Sequence, residues 1–356
     1  MSAKIKPPFH FYFFGEYSFQ SAGDRHAQTG DSERGGGSRR RIEMDSYPCV
    51  YTRCIHHRRQ PAKSASGRRG AELFADLLAR SLATNITHQV AVFVDDFANP
   101  HKLPVLEMLT ERLQAEGLLT VLININRHFD HVHALINADQ RQFDAVILFG
   151  TAFREETLGD RRLGPGFPPM FVLARDSQIP GVPAVACDAE LALSQMVDYL
   201  FDKGYRRPGF MTGARTLSTA LGRRHHYANF WRRKGVGSVV ELNADRYSAD
   251  AGAEAVRAYL SATPSSSRVD VLMCENDILA LGAMATARSE FGCRVPQDLA
   301  VVGFDNIELG AAPAYGLTTY EQPTYEMINT IVEMIIGARA VETVTLPGHL
   351  VPRLSA

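Results

Sequence analysis

Apolar residues recur along most of this 356-residue chain in two alternating patterns. The continuous apolar run Val90–Val94 predicts a buried strand, and the helical spacing of apolar residues over Leu103–Glu116 predicts an amphipathic helix that ends at Gly117. The two patterns continue to alternate beyond this pair. Further strands are predicted over Leu118–Ile125, Phe143–Phe149 and Met170–Ala174. This alternation is typical of a parallel sheet that is covered by helices.

The alternation begins again at Ala189. Helices are predicted over Ala189–Lys203, Thr219–Lys234, Ala249–Ser261 and Asp277–Phe291, and strands over Pro208–Thr212, Val239–Leu242, Val269–Cys274 and Leu299–Phe304. Two successive runs of about four strands each predict an α/β protein of two similar lobes, both with parallel, Rossmann-like sheets and right-handed crossovers. Ligands of open parallel sheets bind beyond the carboxyl ends of the strands, so we expect a small molecule between the lobes.

The first 70 residues have a different character. Residues 20–70 show neither periodicity and are rich in Gly, Ser and Arg, so we predict that 1–70 is a largely disordered N-terminal segment. It carries 13 Lys and Arg against 6 Asp and Glu, a balance of +7, whereas the rest of the chain has a balance of −8. A basic arm that faces nucleic acid and a solvated basic tail both remain open, because charge alone does not distinguish them.

Composition excludes several classes of protein. With 45% hydrophobic and 22% charged residues the chain is typical of a globular protein, and it has no run of about 18 apolar residues that would span a membrane. Its five cysteines are odd in number and scattered, which argues for a reducing compartment and a cytoplasmic location. The aromatic run Phe9–Phe14 is short and is followed by Gly15-Glu16, so it does not predict a secretory signal.

Motifs for common enzyme chemistries are missing. The sequence has no phosphate-binding glycine loop and no Gly-x-Ser-x-Gly nucleophile elbow. The densest group of potential metal ligands, Cys49-x4-Cys54-x-His56-His57, lacks the separated histidine pair of a zinc finger. We therefore predict no cofactor, no metal and no enzymatic activity.

Four stretches, in their order and spacing, resemble the lactose-repressor/galactose-repressor (LacI/GalR) family of bacterial transcription factors. They are Leu78-Ala79-Arg80-Ser81-Leu82, Glu275–Ala283, Arg294–Asn306 and Leu317–Pro323, and the closing Leu346–Ser355 resembles the last strand of that family. The resemblance covers about residues 71–356. It implies a hinge helix and linker at 71–86 and a two-lobe, periplasmic-binding-protein-like domain for effector binding and dimerisation at 87–356. The implied lobes are about 87–188 plus 294–323, and about 189–293 plus 324–356.

The resemblance also implies a function. It predicts a regulator, most often a repressor in that family, that acts as a homodimer and releases or captures operator DNA when a small polar effector binds. Sugars and sugar derivatives are the family's commonest effectors. A periplasmic-type sugar-binding protein of a transport system has the same two-lobe fold and is the alternative. The Leu78–Leu82 motif and the lack of a secretory signal favour the regulator.

Two charged residues match effector contacts of the family. Arg223 aligns with an arginine that holds the effector, and its planar fork suits vicinal hydroxyls, a carboxylate or a phosphate. Leu221 and His226 stand where the family often has a second arginine and a glycine, and these departures bear on the identity of the effector. Asp277 matches an aspartate of the effector cleft, although an aspartate at a helix start alone indicates a cap.

The remaining candidates have weaker matches. Tyr247 matches an aromatic residue that stacks on the effector, with ordinary core packing as the alternative. Asp188 matches a cleft aspartate, with a helix cap at Ala189 as the alternative. Two matches, Phe97 and Asn99, lie in the ligand loop of the first lobe, and Asp305 lies at the cleft floor or in a simple turn.

The hinge motif matches the family's minor-groove contact. By resemblance, Leu82 is the apolar wedge that kinks the duplex, and Arg80 and Ser81 contact the backbone or the groove edges. A Leu/Ala helix that packs on the body is the alternative. The family normally begins with a helix-turn-helix domain, whose pattern residues 1–70 lack; a reading-frame error, a wrong start and a divergent domain all explain this. A hinge wedge alone reads few bases, because the major groove carries most sequence information.

Overall fold

The computed structural model describes residues 86–125, 143–151, 153, 167–214 and 222–356. The predicted N-terminal segment 1–70, with its Cys49–His57 cluster, lies outside these ranges, as do the hinge candidates Arg80, Ser81 and Leu82. Within the described ranges, no helix combines the length and the apolar character that crossing a membrane requires.

The first lobe is built on a six-stranded parallel sheet with the order β11-β5-β4-β3-β1-β2. Its strands are β1 (Gln89–Val94), β2 (Leu119–Asn124), β3 (Ala145–Phe149), β4 (Met170–Leu173), β5 (Ala184–Cys187) and β11 (Val344–Leu346). The central strand β1 pairs with both β2 and β3, so that Val92 lies opposite Leu122 and Ile147. Every residue of β3 and β4 is buried, as expected for parallel strands with both faces covered.

Two helices of the first lobe pack against each other. Helix α1 (Lys102–Ala115) buries Val105, Leu109 and Leu113, which repeat at helical spacing. Its partner is α7 (Thr324–Ile335), which the sequence pattern had not predicted as an element and whose buried face includes Ile328 and Ile331.

The second lobe has a four-stranded parallel sheet with the order β7-β6-β8-β9. The strands are β6 (Pro208–Thr212), β7 (Val240–Asn243), β8 (Val271–Cys274) and β9 (Ala300–Val302), and the helices are α2 (Ala189–Asp202), α3 (Arg223–Arg233), α4 (Ala249–Ala262), α5 (Asp277–Phe291) and the short α6 (Glu308–Ala311). Helices α4 and α5 approach each other closely at Gly282. A Cβ at this position would overlap the carbonyl oxygen of Ala249, so the close contact requires a glycine. The predicted bounds of β6 and α5 are confirmed, and most other bounds differ by one to three residues.

Local sequence explains where the helices begin. The side chains of Asp188, Ser248 and Asn276 cap α2, α4 and α5 by accepting hydrogen bonds from backbone N–H groups of the first turn. Helix α5 ends at Gly292, whose φ of 61° is in the left-handed region that glycine adopts without strain. Helix α3 begins at Arg223; residues 215–221, in which the predicted start Thr219 falls, lie outside the described ranges.

The structure assigns the last segments of the chain to the two lobes differently from the predicted division. The family resemblance implies that 294–323 belongs to the first lobe and 324–356 to the second. Strand β9 instead pairs with β8 in the second-lobe sheet, whereas β11 pairs with β5 in the first-lobe sheet, on the side where α7 packs. A buried apolar run has the same pattern in either sheet, so periodicity could not show which sheet each segment joins.

Segments that cross between the lobes form the hinge. Strands β10 (Thr319–Glu321) and β12 (His349–Val351) pair antiparallel, with Thr319 opposite Val351. The predicted single last strand is therefore two short strands, β11 and β12, separated by Pro347-Gly348. Gly348 allows the two crossing segments to approach, because a Cβ there would overlap the carbonyl oxygen of Glu321.

Candidate functional site

A small cavity lies between the lobes at the carboxyl ends of both sheets. The first lobe contributes residues that follow β1, β3 and β4. The second lobe contributes the first residue of α3 and a residue that follows β8, and the hinge contributes Asp305 and Gln322. The cavity measures about 60 Å³, which holds a few water molecules. Sites for small molecules usually measure about 300–1,000 Å³, so this cavity is smaller than a typical ligand site and a larger ligand requires the lobes to move apart.

Arg223 is held at the wall of this cavity. Its side chain is buried, and Nη1 donates a 2.6 Å hydrogen bond to the carbonyl oxygen of Glu275. The guanidinium carbon lies 3.6 Å from the centre of the Phe304 ring, a cation–π distance that fixes the plane of the group. A guanidinium has five N–H donors, so Arg223 keeps donors for a ligand, as its predicted role requires.

Glu275 organises this wall and is not among the site residues that the sequence predicts. One carboxylate oxygen, Oε2, accepts hydrogen bonds from the Tyr247 hydroxyl at 2.9 Å and from the backbone N–H of Gly213 at 2.8 Å. Burial and the neighbouring carboxylate raise the pKa of Tyr247 well above its usual value, so its hydroxyl stays protonated and donates. The position of Glu275, directly after a buried strand, was the signal that could have identified it.

A glycine makes room for the aromatic ring of the site. Gly213 follows β6, and a Cβ at this position would overlap the ring of Tyr247. The predicted aromatic residue therefore lies at the cavity, between the backbone of Gly213 and the carboxylate of Glu275.

Asp277 occupies a different place from the predicted one. It does not line the cavity: Oδ1 accepts a hydrogen bond from the Thr319 hydroxyl, and Oδ2 accepts one from the backbone N–H of Ile307. Asn276, one residue earlier, lines the cavity and caps the helix. Because α5 begins at Asp277, it is the preceding cap residue that faces the cleft, and the side chain of Asp277 lies against the hinge.

The buried position of Asp277 changes its titration. Burial, and to a smaller extent the nearby carboxylate of Asp305, raise the pKa of this carboxyl from 3.8 to about 8, against the lowering effect of the hydrogen bonds from Thr319 and Ile307. The group therefore favours its neutral form in the folded protein.

Asp188 caps α2 and lies beside the cavity. Its Oδ1 accepts a 2.9 Å hydrogen bond from the backbone N–H of Leu191, which is the predicted alternative role. Asp188 lines a second space of about 300 Å³ that is also lined by Arg175 and Arg223. The structure thus brings Asp188 near Arg223 without placing it in the central cavity.

The first-lobe loop contributes one of its two candidates. Asn99 is buried and lines the cavity, whereas Phe97 is 38% exposed and does not. The loop also positions Lys102, whose ammonium group lies 3.3 Å from the carboxylate of Asp95 and 4.0 Å from the centre of the Phe149 ring. Lys102 and Asp95 were not predicted, because an ion pair between a strand end and a helix start has no local sequence signal.

Asp305 is part of the cavity lining. Gln322 donates a 2.7 Å hydrogen bond to its Oδ1, and the Nε2 atom of Gln322 is 3.4 Å from Nε2 of His101. Burial lowers the pKa of His101, which favours the neutral ring. Burial, with Asp95 nearby, raises the pKa of Asp96 to about 6. Gln322 of the hinge thus connects His101 of the first lobe with Asp305.

The chemistry of the site suits binding. It offers a guanidinium, amides, carboxylates and a phenol, which together recognise hydroxyl groups and other polar substituents. Burial raises the pKa of the nearby Cys187 thiol to about 11, so it is not an activated nucleophile. In the described ranges, no three potential ligand side chains are grouped as a metal ion would need.

Comparison with known protein families identifies similar proteins. A family model described as a periplasmic binding protein-like domain matches residues 197–356. The HTH-type transcriptional repressor CytR of Escherichia coli (strain K12) is 25% identical over 70% of this chain and 72% of its own length. The repressor PurR of Photorhabdus laumondii is 24% identical over 78% and 82%. The ribose operon repressor of Halalkalibacterium halodurans is 26% identical over 70% and 72%.

Solved structures have the same fold. A LacI transcriptional regulator from a Rhodococcus species superposes with a TM-score of 0.65 at 26% identity and covers 75% of this chain and 97% of its own. An Enterococcus faecium LacI-family regulator with bound ribose gives 0.64 at 20% identity, covering 75% and 98%. A complex of the transcriptional regulator CelR with cellobiose gives 0.64 at 23%, covering 82% and 93%. These relatives are regulators of transcription and not enzymes.

Proposed function

We propose that this chain, which belongs to the LacI/GalR family of transcriptional regulators, binds a small polar effector between its lobes and thereby controls its binding to operator DNA. One observation carries the proposal: Arg223, Tyr247, Asn99 and Asp305 come from four separate segments and converge on one cavity at the carboxyl ends of both sheets. The relatives are repressors, which favours a repressor over the alternative of a transport protein that delivers sugar.

A sugar or sugar derivative is the effector that the site supports best. The planar fork of Arg223 suits vicinal hydroxyls, and the ring of Tyr247 offers an aromatic face for the C–H groups of a sugar. Asn99 and Asp305 add hydrogen-bonding groups from the first lobe and the hinge. Ribose and cellobiose are the ligands named for two structures with this fold, which supports the same class here.

Movement of the lobes provides the route from effector to DNA. Because the cavity is too small for a sugar, binding selects a different arrangement of the lobes. A ligand shifts that equilibrium only by its difference in affinity for the two arrangements. In a homodimer, the new arrangement would change the spacing of the two hinge segments at 71–86, and with it the contact of Arg80, Ser81 and Leu82 with operator DNA.

Calorimetry with a library of sugars, sugar acids and sugar phosphates tests the proposal. At least one member should bind the full chain, and Arg223→Ala should weaken that binding by about 2–5 kcal/mol, because a buried, charged hydrogen-bond partner is lost. Arg224→Ala is the matched control, since Arg224 is exposed and pairs with Glu241 at 2.6 Å on the surface. Equal effects of the two substitutions would reject the assignment of the site.

A further inference from the structure

A third space, larger than the other two, lies beside the hinge. We call it the hinge groove; it measures about 1,060 Å³ and is lined by the first turns of α1 and by residues 305–309, 321–326 and 346–349. It shares only His101, Asp305 and Gln322 with the central cavity. Because α1 belongs to the first lobe and residues 305–309 follow the last strand of the second-lobe sheet, an occupant of the groove would contact both lobes.

The walls of the hinge groove are largely apolar. Pro104, Met108, Ile307 and Pro347 line it, together with Tyr325, which is 65% exposed. Leu309 is 49% exposed at the same surface. Clustered exposed apolar side chains of this kind mark binding surfaces more often than isolated ones do.

The charge of the hinge groove has one sign. Its described lining includes the carboxylates of Asp305, Glu308, Glu321 and Glu326 and no Lys or Arg. Asp305 accepts a hydrogen bond from Gln322, and Glu321 accepts one from Asn306 and lies 3.4 Å from His349.

Two of these carboxylates stay available to a ligand. Glu308 and Glu326 are exposed and form no hydrogen bond or ion pair with the described residues. The guanidinium of Arg353, which contacts the nearby Asn306, is committed to that side chain and to the carbonyl oxygen of Leu317. No cation of the described lining therefore balances Glu308 and Glu326.

We propose that the hinge groove binds a small organic cation with a hydrophobic body, at a site separate from the effector cleft. The apolar walls take the body, Glu308 and Glu326 attract the ammonium group, and the exposed ring of Tyr325 adds a cation–π contact. The occupant bridges both lobes, so its binding depends on how the lobes are arranged.

A matched pair of probes tests the proposal on the full chain. Tryptamine is a cation at neutral pH, and tryptophol has the same indole body with a neutral hydroxyl group. In calorimetry at low salt, tryptamine should bind to one saturable site per chain, about tenfold more tightly than tryptophol, because only the cation gains the ion pairs and the cation–π contact. The double variant Glu308→Gln with Glu326→Gln should reduce tryptamine binding to the level of tryptophol.

Two controls locate the probe. Glu107→Gln with Glu111→Gln makes the same charge change on the exposed face of α1, outside the groove lining, and should leave tryptamine binding within about twofold of wild type. Arg224→Ala, at an exposed position outside the groove and the central cavity, should also leave it unchanged. The proposal is overturned if both probes bind equally, if neither binding isotherm saturates, or if the groove variant binds tryptamine as tightly as wild type. It is also overturned if tryptamine binds more weakly at protein concentrations at which the chain associates, because a second copy of the chain would then occupy the groove.

Discussion

The hydroxyl of Thr319 donates a 2.6 Å hydrogen bond to the carboxylate of Asp277, and both side chains are fully buried. This bond joins the first residue of α5 in the second lobe to a strand of the hinge. Asn276, the neighbour of Asp277, lines the cavity between the lobes. The cavity wall and a buried bond of the hinge are thus formed by two consecutive residues, Asn276 and Asp277.

Asp277 should give the protein a stability that falls as pH rises. The pKa of this acid is raised from 3.8 to about 8 on folding, so between these values the folded state holds a proton that the unfolded state has lost. The free energy of unfolding therefore decreases from about pH 4 to about pH 8 and levels off above that. In urea unfolding across this range, Asp277→Asn should remove this part of the slope.

A second aspartate provides the control for that experiment. Asp298 is exposed and pairs with Arg294 at 2.7 Å, and this guanidinium holds the pKa of Asp298 below its usual value. It stays ionised above about pH 4, so Asp298→Asn should leave the slope between pH 5 and pH 8 as in wild type. An unchanged slope in Asp277→Asn would contradict the buried, protonated state of Asp277.

Tyr247 should act through its ring more than through its hydroxyl. The hydroxyl is already bonded to Glu275, which leaves the ring as the part that a sugar meets. Tyr247→Ala should weaken binding of the effector by about tenfold or more, whereas Tyr247→Phe should cost about threefold or less. Calorimetry with a ligand from the library screen measures both, and a larger loss in the Phe variant than in the Ala variant would refute this role.

Asp188 should contribute to stability as a helix cap. Asp188→Ala removes the hydrogen bond to the N–H of Leu191 and should lower the free energy of unfolding by about 0.5–2 kcal/mol. Asp188→Ser keeps a capping oxygen and should lose much less. Unfolding in urea checks the difference. If Asp188→Ala instead weakens effector binding by about tenfold with no loss of stability, then Asp188 contacts the ligand and its cap is secondary.

Residues 87–356 should suffice for the proposed homodimer. Strand β2 is the edge of the first-lobe sheet and leaves Leu119 58% and Leu122 48% exposed, an apolar edge that a second copy would cover. A chain that begins at Thr87 should sediment as a dimer at micromolar concentration. Leu119→Lys with Leu122→Lys should shift it toward monomer, whereas Val341→Lys, at another exposed apolar position, should not. A monomeric wild-type chain from Thr87 would place the contact elsewhere.

Much of the fold followed from local pattern. The alternation of strands and helices was read correctly because burial on both faces gives parallel strands continuous apolar runs, and capping residues mark helix starts. The strand predicted over Pro208–Thr212 and the helix predicted over Asp277–Phe291 have the same bounds in the structure. The four-residue β5 and helix α7 were not predicted as elements, although the resemblance identified Asp188, directly after β5, as a candidate site residue.

What the sequence by itself determined is the class of fold, and the resemblance directed attention to Arg223, Tyr247, Asn99 and Asp305, which line one cavity. Only the tertiary structure decided which sheet β9 and β11 join, and that Asn276 rather than Asp277 faces the cavity. It also revealed Glu275 as the group that holds Tyr247. The physical reason is that element type and capping depend on neighbouring residues, whereas strand partners and the direction of a buried carboxylate depend on segments far apart in the chain.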